Sequence, residues 1–120
     1  MVYIKINSLD ALTSKIVRLR AKNQCQRCLK YREFKELQCA HCFGRANKKV
    51  RHDLDNMLAL DYYCHQLIDS DPEEKRNLFI KHLGQNGYLQ LSHRANWPTL
   101  TKPDYVAIKM FLKEELKKYE

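Results

Sequence analysis

The 120-residue sequence is poor in glycine and proline, with three of each, and it has a single tryptophan. That scarcity excludes a collagen-like or low-complexity chain. No segment repeats, which excludes a solenoid. There is no apolar run of the roughly 20 residues that a transmembrane helix needs, and no signal peptide, so the expectation is a cytoplasmic protein without a membrane partner. An even cysteine count is lacking too. Five cysteines would leave one thiol over in a disulfide framework. In a reducing compartment the Cys25-x2-Cys28 spacing reads as a pair of metal ligands, with buried inert cysteines as the rival reading.

What the chain does have is length for one domain and an uneven charge. A core this small gains from an extra staple such as a metal. The formal net charge is +8. Between Lys15 and Arg51 there are twelve Lys/Arg against Glu33 and Glu36, a local +10, so the remainder carries about −2. Concentrating the excess in one third of the chain, around the paired cysteines, points to a phosphate-binding face and a nucleic-acid partner. A merely solvated surface would not need that concentration.

Val2–Ile6 alternates like a short strand. Asn7 or Ser8 can cap a helix running to about Lys22, with Leu9, Leu12, Ile16 and Leu19 on one face. A "CQRC" knuckle follows, then a strand around Leu37–Phe43. "GRANKKVRHD" reads as a basic loop, "NMLAL" (Asn56–Leu60) as a strand, and Tyr63–Ser70 as a short helix. Asp71, Pro72 and Glu74 form a strong helix start, and Gly84 is the expected stop. "GYLQLSHRA" predicts another short helix. Thr101-x-x-Asp104 is a capping box for a last helix, with Tyr105, Ile108, Leu112 and Leu116 as its stripe. That stripe serves the core or a dimer surface, with the core preferred.

The middle of the chain therefore reads knuckle, strand, basic loop, strand, helix. His41 ends the first strand, Asn56 opens the second, and His65 and Asp69 lie four apart on the helix. Residues at i and i+4 share a face, so an imidazole nitrogen and a carboxylate oxygen can converge on a divalent cation.

The order His41, Asn56, His65, together with "AHCFGR", "RHDLDN" and "CHQLID", resembles the HNH nuclease family. It is similar in particular to the phage-encoded, lambda NinG-type recombination endonucleases. The likeness spans Cys25–Asp69 and extends more weakly to "HLGQNGYLQL". It implies an α+β fold: a ββα-metal core with a Cys knuckle (25–70), flanked by an N-terminal helix (about 9–22) and two to three C-terminal helices (about 72–119), in a single domain over 1–120. It implies a metal-dependent DNA endonuclease that hydrolyses phosphodiester bonds in recombination or DNA processing, acting on duplex or branched DNA. A junction resolvase would be expected to be a dimer, which makes a homodimer one assembly the resemblance allows, while the sequence does not fix the oligomeric state.

The resemblance also assigns roles. His41 would be the general base and Asn56 would hold the loop or the His41 ring. His65, with Asp69, would bind catalytic Mg²⁺ or Mn²⁺. Arg45 would clamp the scissile phosphate, while Lys48, Lys49 and Arg51 track its neighbours. Two departures stand out. The position before the base, where many members carry a metal-ligating Asp or His, is Ala40. The second CxxC of the family's structural zinc is replaced by Asp61-x2-Cys64. Cys25, Cys28, Asp61 and Cys64 then form the candidate Zn²⁺ site, with Cys39 a rival fourth ligand and absence of zinc a further alternative.

Simpler readings stand beside these. His41 or His65 could ligate zinc, and Asn56 could be a turn residue. Asp69 and the 45–51 loop could simply be solvated. Cys42 is expected as a small buried residue opposite His41, and His52, His82 and His93 as surface or helix residues. Trp97 is expected to cap the last helices, with base stacking as the rival. The alternative function is a non-catalytic, zinc-stapled DNA-binding accessory module.

Overall fold

The computed structural model describes residues 7–98 and 102–120. The strand expected over Val2–Ile6 and the capping Thr101 lie outside them. Among the described residues, four α-helices and a two-stranded antiparallel sheet follow one another as α1 (Ser8–Arg20), β1 (Gln38–His41), β2 (Met57–Leu60), α2 (Tyr62–Ser70), α3 (Pro72–Asn96) and α4 (Tyr105–Lys117). Among the described residues no helix is long and apolar enough to cross a membrane.

Asn7 caps α1. Its side chain accepts from the Asp10 N–H at 2.9 Å, and Asp10 returns a bond to the Asn7 N–H at 2.9 Å. The buried face of α1 is Asp10, Thr13, Ile16 and Val17. The expected Leu9, Leu12 and Leu19 are only half-buried. The stripe is rotated because Asp10 and Thr13 face the protein rather than water, where they find polar partners.

The sheet register pairs Gln38 with Leu60, Cys39 with Ala59, Ala40 with Leu58 and His41 with Met57. All four residues of β2 are buried, which is why "MLAL" lacks alternation: both of its faces are covered. In β1, Cys39 and His41 share one face, as the two-residue period requires. Val17, Leu37, Ala40, Leu60, Ile68 and Phe79 anchor the main core.

Asp71 caps α3 as expected, accepting from Glu73 and Glu74 N–H at 3.1 and 3.2 Å, with Pro72 at the first turn. At Gly84 (φ 77°, ψ 163°) the chain leaves helical geometry and then resumes it. The predicted stop is thus a kink between two helical segments. Asp104 caps α4, accepting from Ala107 N–H at 3.1 Å. Of the expected α4 stripe only Leu112 is buried. Ile108 and Leu116 are half-buried, Tyr105 is exposed, and so are Val106, Met110 and Phe111.

Candidate metal centre and histidine groove

Between α1 and β1 the chain makes a knuckle. Cys25 N–H donates to the Lys30 carbonyl at 2.9 Å and Leu29 N–H to the Cys25 carbonyl at 3.0 Å. Gln26 docks it on β2: its N–H donates to the Ala59 carbonyl at 2.9 Å, and its side-chain oxygen accepts from Ala59 N–H at 2.8 Å. The knuckle cysteines therefore meet the start of α2, where Asp61 is the cap. Asp61 Oδ1 accepts from Cys64 N–H at 2.9 Å. The other oxygen, Oδ2, accepts from the Cys28 thiol and from Arg32 Nε, each at 3.3 Å. One carboxylate thus caps the helix with one atom and faces the thiols with the other.

One ligand atom from each of Cys25, Cys28, Asp61 and Cys64 lies within 4.8 Å of the rest. Tetrahedral zinc, with three sulfurs at about 2.3 Å and one oxygen at about 2.0 Å, needs ligand atoms about 3.5–3.8 Å apart. A small contraction separates the two, so this cluster has the donor set and the spacing for a metal ion such as zinc. Burial alone would raise the Asp61 pKa, but hydrogen bonds from Cys64, Cys28 and Arg32 hold it down to about 2. Burial also opposes the Cys25 thiolate, and hydrogen bonds from Asp61, Cys28 and Arg27 overcome it and lower that thiol. Cys64 is pushed up to about 12, first by burial and then by Asp61 and Cys25, against an opposing hydrogen bond from Arg27. Such mutual opposition among acceptors is what a shared cation relieves.

Asp61, not Cys39, completes the set. Cys39 sits on β1 away from the cluster, where burial pushes its thiol up to about 12. His41 and His65 are outside the cluster as well, which sets aside the reading of either as a ligand there. Cys42 is half-buried against the core, and burial raises its thiol to about 11.

The second assembly is an open groove of about 550 Å³. His41 and Cys39 of β1, Arg45 of the basic loop, and His65 and Asp69 of α2 line it, with Arg18 of α1 and Lys75 of α3. Asn56, fully buried, closes the loop behind it. Its Oδ1 accepts from Phe43 N–H at 2.8 Å, and its Nδ2 donates to the Phe43 and Val50 carbonyls at 2.8 and 3.1 Å. Asn56 therefore holds the loop rather than the His41 ring. His41 Nε2 is buried and has no hydrogen-bond partner among the described residues. Burial, reinforced by the Arg45 charge, lowers the His41 pKa to about 4.

His65 Nε2 lies 3.2 Å from Asp69 Oδ2, and Lys75 Nζ takes Asp69 Oδ1 at 3.2 Å. His65 Nδ1 is 2.7 Å from Gln38 Oε1. Burial lowers the His65 pKa against the pull of Asp69.

The basic loop does not act as one surface. Arg45 lines the histidine groove, whereas Lys48 and Lys49 line a different hollow beside Phe111 and Tyr119 of the C-terminal segment. Arg51, expected on phosphates, is instead bound to buried Asp10 through Nε–Oδ1 at 3.0 Å and Nη2–Oδ2 at 2.6 Å. A buried carboxylate needs a paired cation, and that need outranks a surface role for Arg51. His52, expected at the surface, is buried, 3.7 Å from Asp10 Oδ1, with neither ring nitrogen hydrogen-bonded among the described residues. His82 and His93 are exposed as expected. Trp97 is also exposed and tilts against His93 at 4.8 Å between centroids, so it covers no core.

Sequence reasoning missed Asp10, Arg18, Gln38 and Lys75. Three of them reach the site from α1 or α3, and no local spacing ties those helices to His41. Gln38 had a local signal, since it stands three residues before His41 on the same strand. Comparison with family models, with curated proteins and with solved structures finds no match to this chain.

Proposed function

We propose that this chain is a metal-dependent DNA endonuclease of the HNH type, as its motif resemblance implies. The α+β arrangement of knuckle, β1, loop, β2 and α2 would then be a ββα-metal core. The observation that carries the reading is convergence in one groove. A histidine with an unpartnered nitrogen, a second histidine beside a carboxylate, and the cations Arg18, Arg45 and Lys75 all meet there.

His41 is neutral at pH 7 by virtue of its lowered pKa, and its Nε2 is buried at the groove wall, so as general base it would take a proton from an attacking water once the groove opens onto that atom. Asn56 would fix the loop that follows His41 through its bonds to Phe43 and Val50. Arg45 and Arg18 supply guanidinium groups to phosphate oxygens. His65 Nε2 and Asp69 Oδ2 form a nitrogen–oxygen pair that suits Mg²⁺ or Mn²⁺, which when bound would stabilise charge on the phosphate and the leaving oxygen. Ala40, fully buried, adds no ligand, so water must fill the remaining positions. The Cys25, Cys28, Asp61 and Cys64 cluster serves as a structural zinc staple. DNA is the partner and the cell interior the place of action.

The test is plasmid nicking. Purified protein should nick supercoiled DNA with Mg²⁺ or Mn²⁺ and stop with EDTA, and His41→Ala should remain folded and inactive. Tight DNA binding with no cleavage under any divalent cation would make the chain a zinc-stapled binding module instead.

A further inference from the structure

Gln38 opens β1 and pairs across the sheet with Leu60, the residue just before the α2 cap. That register stands its side chain beside α2, and its Oε1 lies 2.7 Å from His65 Nδ1. With the carboxamide oxygen turned to the ring, as the structure has it, the contact places the proton on Nδ1. In the neutral ring Nε2 then carries a lone pair, and that atom faces Asp69 Oδ2 at 3.2 Å. Two acceptors at this separation repel unless a cation lies between them. Lys75 holds the other Asp69 oxygen at 3.2 Å, which leaves Oδ2 turned to the imidazole. Without an acceptor at Nδ1, the ring would be free to put its proton on Nε2, donate to Asp69 and close the pair on itself.

We propose that Gln38 is a positioning residue that holds His65 in the Nδ1–H tautomer, so that His65 Nε2 and Asp69 Oδ2 stand as a preset two-point clamp for a hard divalent cation, Mg²⁺ or Mn²⁺. The inference rests on the reading of His65 and Asp69 as cation ligands. It adds the device that keeps the ligand nitrogen deprotonated before the cation arrives. Partners of this kind behind a ligating imidazole are worth roughly 10–100-fold in metal affinity.

The experiment uses the full chain labelled with ¹⁵N-histidine, at pH 8 and without added divalent cation. His65 is assigned by its loss in His65→Gln. Long-range ¹H–¹⁵N spectra should show His65 protonated on Nδ1 in the unsubstituted protein and in Gln38→Glu, whose carboxylate still accepts. Gln38→Ala should shift the proton to Nε2. Mn²⁺ titrations followed by electron paramagnetic resonance should show affinity weakened roughly 10–100-fold in Gln38→Ala and retained in Gln38→Glu. Where the alanine variant fails to fold, Gln38→Asn retracts the oxygen by one methylene and should give the same loss. An Nε2–H ring in the unsubstituted protein, or unchanged Mn²⁺ affinity without the Gln38 oxygen, overturns the inference. Tautomer and affinity that follow Gln38 in a protein that cuts no DNA would sink the nuclease reading and leave this inference standing.

Discussion

At the scale of single residues, His41 and His65 should fail differently when removed. A general base acts on the water and hardly on bound phosphate, so His41→Ala should slow cleavage by roughly 10²–10⁴ with DNA affinity nearly unchanged. High Mn²⁺ should partly rescue His65→Ala and should not rescue His41→Ala; single-turnover rates across a Mn²⁺ series check this. His41 also sets a pH dependence of stability. Its folded pKa is about 4, against about 6.5 for an unfolded histidine. Between those values the unfolded chain binds more protons. Stability is therefore full above about pH 6.5 and declines as pH falls toward about 4, with buried His52 acting in the same direction. Urea melts at pH 7.5 and pH 5 should differ accordingly, and His41→Gln should narrow the gap. Equal midpoints at both pH values for the unsubstituted protein would contradict the buried, neutral state of the ring.

At the scale of elements, two joints carry the arrangement. Arg51 ties the loop to α1 through Asp10, and both side chains are largely buried. Arg51→Ala should cost about 3–5 kcal/mol in denaturant unfolding because it strands a buried carboxylate, and adding Asp10→Ala should recover part of that loss. Gly84 holds a backbone conformation open essentially to glycine alone, with nothing near enough to clash with an added Cβ. Gly84→Ala should therefore cost about 1–3 kcal/mol from the backbone alone. These joints also mark what sequence could convey. The knuckle, the His65/Asp69 pair, the Asp71 cap and the Gly84 break all depend on neighbours within a few residues, so spacing and turn chemistry reveal them. Arg51 depends on a partner 41 residues away, and so does Arg94, whose Nε meets Asp53 at 2.7 Å. No local pattern distinguishes an arginine awaiting phosphate from one bound to a distant carboxylate, which is why Arg51 reads as a surface cation until the fold is seen.

At the scale of the whole molecule, charge and metal should be separable. DNA affinity should fall steeply with salt as phosphate contacts release counterions. If Lys48 and Lys49 each meet a phosphate, Lys48→Ala/Lys49→Ala should flatten the log–log slope by roughly two units. Arg51→Ala should act through stability, without the further unit expected of a phosphate contact. An unchanged slope in the double variant would remove these lysines from the DNA path. The protein should also retain about one zinc per chain through gel filtration, one cluster holding one ion. Cys25→Ser/Cys28→Ser should lose it and melt at lower temperature. Metal analysis showing none in a reduced, folded sample would remove the staple.

The Cys28–Asp61 contact joins positions 33 residues apart, and β1, the basic loop and β2 all lie inside that span. A metal there would work as a reversible cross-link. By the loop-entropy measure used for disulfides, a tie of this length restricts the unfolded chain by about 3–4 kcal/mol. The consequence is kinetic as well as thermodynamic. A tie completed after the folding transition state leaves the folding limb of a chevron in place and lowers the unfolding limb. Zinc would then govern how long the hairpin carrying His41 survives, more than how quickly it forms.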